Sequence, residues 1–200
     1  MLNLPDIKII GLTGISGAGK STARGVFAER GFFLIDCDCL AKSAADNRDF
    51  LGELQRRFPG NVLNEDGTLN RAATAKAIFN DVGRRRLYNQ IIFPYIVYSV
   101  IRLVKRADAD IMLDAPTLFE SGLDMICEKT VGVIADRELC ADRITRRDGI
   151  TRELALERLS AQRDGEFFRV RCDYIIENNG GLSELEQNAR IICEQLKGAL

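Results

Sequence analysis

Gly14-Ile-Ser-Gly-Ala-Gly19-Lys20-Ser21 sets three glycines, a lysine and a hydroxyl in the spacing G-x-x-x-x-G-K-[ST]. Glycines in this pattern let the backbone curl so that successive N–H groups face inward, and a helix opening at Ser21 adds the positive end of its dipole. Such a cradle holds phosphate groups. Lys20 is expected to bridge the β and γ phosphates of ATP, and the Ser21 hydroxyl to complete the coordination of Mg²⁺. A plain glycine turn entering a helix would require neither Lys-Ser after the last glycine nor the apolar run Lys8-Ile-Ile-Gly-Leu-Thr13 before the first. Gly14, Gly17, Ala18, Gly19, Lys20, Ser21 and Thr22 form the candidate ATP-binding set on this stretch.

Phosphoryl transfer needs in-line positioning and charge neutralisation, and a carboxylate near the acceptor to orient a hydroxyl and take its proton. Asp36 and Asp38 close the apolar run Phe32-Phe-Leu-Ile35, at the strand end where ligands gather in an open α/β sheet. Asp38 is the candidate base. Its other reading is a cap for a helix beginning near Leu40. Asp114 ends Ile111-Met-Leu113 in the manner of a Walker-B carboxylate that holds Mg²⁺ directly or through water, or it serves only to form a turn. Arg143, Arg146 and Arg147 precede Asp148-Gly149, with Arg143 and Arg147 on one helical face. They are candidates to close over ATP phosphates, Arg143 as a binding and Arg147 as a catalytic group, or they are cations favoured by a helix C-terminus.

The elements that must position these groups follow from hydrophobic period and turn chemistry. A buried strand over Lys8–Thr13, a helix from Ser21 to a cap at Gly31, and a strand at Phe32–Ile35 form a βαβ unit. Residues from about 40 to 107 read as all helical, with turn clusters at Phe58–Asn61 and Asn64–Gly67 and Pro94 in the first turn of the last helix. Strands return at Ile111–Asp114, Val131–Ile134 and Tyr174–Ile176. Helices are expected over Arg137–Arg147 and from Thr151 to about Gln162, with a mobile basic segment at the break between them, and a capping box at Ser183–Glu186 opens a C-terminal helix with Leu185, Ala189, Ile192 and Leu196 inside.

The predicted fold is therefore α/β, a three-layer P-loop NTPase with a parallel sheet of about five strands, a helical substrate-binding insertion and a small lid. The chain reads as one domain, with its core in residues 1–40, 108–147 and 173–200, the helical subdomain in 41–107 and the lid in 148–172.

Composition narrows the chemistry further. The 200 residues contain no histidine, which removes Ser-His-Asp triads, Cys-His pairs and imidazole metal sites. Six cysteines without paired CxxC spacing point to reduced thiols rather than a zinc knuckle or disulfide frame. A net charge of −1 gives no basic field for nucleic acid, and Arg56-Arg57 and Arg84-Arg-Arg86 read as solvated helix surface. Met1–Asp6 lacks the look of a signal peptide and no later run reads as a membrane span, so a cytoplasmic protein, monomeric or weakly self-associating, is expected.

Taken in order, Ile10-Gly-Leu-Thr-Gly14, Leu34-Ile-Asp-Cys-Asp38, Asp66-Gly-Thr-Leu-Asn-Arg71, Ala115-Pro-Thr-Leu-Phe-Glu120, Arg143 to Gly149, Gln162 and Cys172-Asp-Tyr-Ile-Ile-Glu-Asn178 resemble the dephospho-coenzyme A kinase family over almost the whole chain. The resemblance implies ATP and Mg²⁺, and transfer to the ribose 3′-hydroxyl of dephospho-coenzyme A. It also implies Asp38 as the carboxylate near that hydroxyl, Arg71 in the substrate domain, and Arg143 and Arg147 as lid-side arginines. The chain departs from the family in carrying Phe93-Pro94 where His-Pro is usual, and Ile15 and Ser16 in the loop. A kinase of nucleosides or nucleoside monophosphates and a non-catalytic nucleotide switch are the competing readings.

Overall fold

The computed structural model describes residues 7–79 and 81–198. The leader reading of Met1–Asp6 lies outside them. The chain divides into two compact units, one formed by the chain up to Ile35 and from Ala107 onward, the other by Asp36–Arg106.

The first unit is built on a five-stranded sheet of β1 (Ile9–Gly14), β2 (Phe33–Asp36), β3 (Ile111–Asp114), β4 (Lys129–Ile134) and β5 (Tyr174–Glu177), in the order β2-β3-β1-β4-β5. β1 pairs in parallel with β3 and β4, and β4 with β5. Parallel pairing requires crossovers that cover both sheet faces, so β1 is buried throughout and reads in sequence as a continuous apolar run. The chain leaves β1 toward β2 and β3 and later crosses to β4 on the opposite side. The reversal opens a crevice at the C-terminal end of β1.

Helix α1 (Lys20–Glu29) buries Ala23, Val26 and Phe27. The last helix of the chain, which spans Leu182–Gly198, packs against it through Leu185, Ala189, Ile192, Cys193 and Leu196. The expected capping box is displaced: Leu185 N–H donates to the Gly181 carbonyl at 3.2 Å, so the helix opens at Gly181 and Ser183 already lies inside its first turn. Between β4 and β5 run helices Arg137–Asp148, Arg152–Ser160 and Gly165–Arg171, the second capped by Thr151 and the third by Asp164. Ala155, Leu159 and Phe168 from the last two join the same buried cluster as the sheet.

The second unit consists of α2 (Cys37–Ala44), α3 (Arg48–Arg57), α4 (Arg71–Phe79) and α5 (Val82–Val104), with one antiparallel bridge, Leu63 to Leu69, flanking the Asn64–Gly67 turn. In chain order the three helices between β4 and β5 are α6, α7 and α8, and the C-terminal helix is α9. Phe50, fully buried on α3, meets the Tyr88 and Tyr95 rings of α5 edge-on, at centroid distances of 6.2 and 5.6 Å. Such pairs add to the burial of their area.

Pro94 corrects the sequence reading. Asp81 caps α5 by accepting from Arg84 N–H at 2.9 Å, so the helix begins a dozen residues before the proline, which sits mid-helix. Pro94 costs the bond that would reach the Gln90 carbonyl. Both residues lie on the exposed side, where water can serve that carbonyl, while Ile91, Ile92, Ile96, Val100 and Val104 bury the opposite stripe. By length and composition α5 is also apolar enough to cross a membrane, contrary to the sequence expectation. Here its apolar stripe packs on α2, α3 and α4.

Candidate active site

The P-loop is fixed first by its backbone. Gly14 has φ 144°, and a Cβ there would stand 2.1 Å from the Val133 carbonyl oxygen, so no larger residue allows β1 to end against β4. Ile15 N–H donates to that same carbonyl at 3.0 Å, and Ala18 N–H returns to the Ile15 carbonyl at 3.1 Å, closing the loop into a turn. Ser16 N–H donates to the Gln162 side-chain oxygen at 3.1 Å. The first N–H groups of α1 have no intrahelical acceptor and carry the helix's positive end, so the loop and helix together make an anion cradle.

Lys20 leaves the first position of α1 and donates to Asp114 Oδ1. Asp114, buried at the end of β3, receives Arg24 Nη1 on its other oxygen at 3.1 Å. One buried carboxylate thus holds two cations from one helix face, at positions 20 and 24. Arg24 was not singled out from sequence, although its four-residue spacing from Lys20 is the available signal. Ser21 is exposed at the helix start and Thr22 half-buried behind it.

Asp38 lies in the first turn of α2 with its side chain exposed. It is not the cap. α2 opens at Cys37, earlier than expected, and Asp36 caps it by accepting from Cys39 N–H at 3.0 Å, which overturns the capping alternative for Asp38. In the same unit, exposed Arg71 begins α4 and reaches the Lys42 carbonyl of α2 at 3.5 Å, so the structure brings it to the helix that carries Asp38. Burial holds the Tyr88 phenol above its ordinary pKa against the opposing pull of Arg71.

The arginines of α6 divide. Arg143 donates to the carbonyls of Gly17 at 3.4 Å, Asn178 at 3.1 Å and Gly180 at 3.4 Å, which sets its charge beside the P-loop. Arg147 is exposed and paired with Asp148 at 2.7 Å, and Arg158 of α7 takes the same carboxylate at 3.0 Å. Arg147 therefore lies in a surface ion pair, and Arg146 donates to its own helix at the Asp142 carbonyl. Gln162 and Asn178 carried no role in the family pattern; the structure gives both a partner in the P-loop.

Among the described residues no cluster of three or more His, Cys, Asp or Glu could hold a metal ion. A tightly chelated structural metal is not offered a site there. The hydroxyl of Ser21 and the carboxylate of Asp114 suit a hard cation that keeps most of its places for phosphate and water, as Mg²⁺ does. All six cysteines are free, and burial pushes the Cys127 thiol up to about 12 and Cys140 to about 11, so neither is a ready nucleophile.

A central strand ending in a GxxxxGKS loop, a lysine and a buried carboxylate at the adjoining strand end define the class: a P-loop nucleotide-binding protein. The sequence profile of the family described as dephospho-CoA kinase matches residues 8–184. A dephospho-CoA kinase of Fusobacterium nucleatum is 35% identical over 96% of this chain and 100% of its own length. The crystal structure of TT1252 from Thermus thermophilus superposes with a TM-score of 0.81 at 33% identity, covering 96% of this chain and 99% of that one. The fold alone is shared with a shikimate kinase of Bacteroides thetaiotaomicron, TM-score 0.54 at 16% identity over 95% of this chain and 98% of that one. The chain belongs to the dephospho-CoA kinase family.

Proposed function

We propose that this protein transfers the γ-phosphoryl group of ATP to the ribose 3′-hydroxyl of dephospho-coenzyme A, releasing coenzyme A and ADP. The observation that carries the reading is the Lys20–Asp114–Arg24 cluster beside the P-loop, in a chain whose family match spans residues 8–184. The acceptor oxygen forms a bond to the γ-phosphorus as the bond to the β–γ bridging oxygen breaks, and the hydroxyl proton passes to the Asp38 carboxylate. Asp36, not Asp38, caps that helix, and an exposed aspartate in its first turn is suited to that exchange.

The backbone of Gly14–Ser21 and Thr22 hold the phosphates, with Ala18 in the loop's turn, and Lys20 neutralises charge that develops on the transferring group. Ser21 would hold Mg²⁺ directly. Asp114, both of whose oxygens already accept from cations, would hold it through water. When bound, the ion supplies charge neutralisation across the β and γ phosphates. Arg143 contributes its charge at the loop, and Arg147 leaves Asp148 to meet phosphate as the exposed part of the proposed lid, residues 148–172, closes about the buried Ala155, Leu159 and Phe168. Arg71 binds the acceptor from the helical unit.

A coupled assay presenting dephospho-coenzyme A beside nucleosides and nucleoside monophosphates tests this reading. ADP release with the first alone is expected. Turnover confined to the nucleosides or monophosphates would replace the acceptor, and ATP binding without transfer to any of them would make the chain a nucleotide switch.

A further inference from the structure

Asn178 lies directly after β5, and its side chain is buried, with 5% of the residue exposed. A buried amide must find partners for its donors and acceptor or lose the hydration it gave up. Its Nδ2 donates to the Ala18 carbonyl at 2.7 Å, across 160 residues of sequence. Its Oδ1 accepts from Arg143 Nη2 at 3.5 Å, and Arg143 also holds the Gly17 carbonyl. Two neighbouring carbonyls of the P-loop are thereby tied to one pair, a buried asparagine and a half-buried arginine.

A trans peptide is planar, and its C=O and the following N–H point in opposite directions. Anchoring the Ala18 carbonyl toward β5 therefore aims the Gly19 N–H the other way. Anchoring the Gly17 carbonyl, with Ala18 N–H on the Ile15 carbonyl, fixes the plane before it. The residue at 19 must also leave room for the anchor. A Cβ on Gly19, whose φ is 102°, would stand 2.7 Å from Asn178 Nδ2 and 2.7 Å from Leu185. Gly19 is needed as much for the approach of Asn178 as for its own backbone angle.

We infer that Asn178 is a positioning residue for nucleotide: by holding the Ala18 carbonyl it presets the Gly19 N–H toward the phosphates, with Arg143 locking the preceding peptide. It touches neither phosphate nor acceptor. This inference rests on the kinase reading for the identity of the anion, and on the observed geometry for the rest. Without the anchor the loop must be ordered by the nucleotide itself, and the cost appears in nucleotide affinity.

The test compares Asn178→Ala with the unmodified chain by calorimetric titration with ADP and by steady-state kinetics in both substrates. The expected result is an ADP affinity and a KM for ATP weakened about tenfold, with the KM for dephospho-coenzyme A within about twofold. The ratio of the two KM values is the decisive readout, because an unfolded fraction lowers the rate without moving it. If Asn178→Ala yields no soluble protein, Asn178→Ser, which keeps a shorter donor, is expected to shift the ratio the same way by less. A fall in melting temperature with both KM values unchanged would overturn the inference and leave Asn178 a packing residue. Failure to phosphorylate dephospho-coenzyme A would sink the acceptor reading, while the ADP titration would still decide this one.

Discussion

The two units handle their functional side chains in opposite ways. Around the P-loop, Lys20, Asp114, Arg24, Arg143 and Asn178 form a half-buried to buried web in which charges and amides have protein partners. In the helical unit, Asp38 and Arg71 stand at the surface, so the difference is one of burial, and Arg71 reaches the Lys42 carbonyl at 3.5 Å. A triphosphate is the same in every kinase of this class, so its cradle gains from being rigid beforehand. In the proposed reading Asp38 and Arg71 meet the acceptor, which is particular and large, and groups with that duty must stay wettable until it arrives. The contrast separates a preset half from a half completed by substrate.

The comparison breaks most readily at Lys20. Lys20→Ala is expected to lower kcat by about 10³ with the far-UV circular dichroism unchanged, since Asp114 keeps Arg24; a loss under tenfold would remove the lysine from the transfer step. Phe50→Ala strikes the other unit. Emptying the ring site between Tyr88 and Tyr95 should cost about 4 kcal/mol in urea unfolding. If the two units fold and bind independently, ADP affinity of the folded protein stays within about twofold. A parallel collapse of ADP binding would show that the preset half depends on the helical core.

Asp38→Asn keeps size and polarity and removes the proton acceptor. A fall of about 10² in kcat with ATP binding unaltered is expected, and undiminished transfer would end its role as base. Asp114→Ala leaves Lys20 and Arg24 without their shared carboxylate, yet both reach water, with 18% and 33% of their side chains exposed. The expected loss is therefore about 2 kcal/mol rather than the larger penalty of a sealed ion pair. Differential scanning calorimetry should read it as a drop of roughly 4–8 °C.

Much of this arrangement was legible because it is local. Ile9–Gly14 and Ile111–Asp114 are short apolar runs ending in turn chemistry, and the P-loop needs only eight consecutive residues to declare itself. The failures share a cause. Pro94 and Ser183 each looked like a helix start by their own local rule, but Asp81 and Gly181 had already opened those helices. The buried stripe of α5 outweighed the proline, because packing on three helices exceeds the worth of one backbone bond. Asn178 and Arg24 went unread for another reason. Their partners lie 160 and 90 residues away; the i, i+4 spacing from Lys20 puts Arg24 on the right helix face, but nothing along the chain points either side chain to its distant partner.

The smallest effect tests the edge of the comparison, where Arg147 belongs to the phosphate side by proposal yet rests on the surface. Asp148 accepts from Arg147 at 2.7 Å and from Arg158 at 3.0 Å, and the hydrogen bond from Arg147 is the main cause holding its carboxyl below the ordinary value of 3.8. A depressed carboxyl pKa contributes stability that is present above the unfolded-state value and fades as pH falls through the lower folded one. Asp148→Asn should therefore cost no more than about 0.5 kcal/mol at pH 7, because the pair is solvent-facing, and 0.5 M salt should shrink even that. As pH falls below 3.8 and on through the lower folded value, the difference in urea midpoint between the variant and the unmodified chain should shrink toward nothing. A loss above about 1.5 kcal/mol at pH 7, or one that persists in acid, would make Asp148 a structural strut. Arg147 would then be a fixed part of the α6–α7 corner instead of a side chain held loosely enough to move onto phosphate.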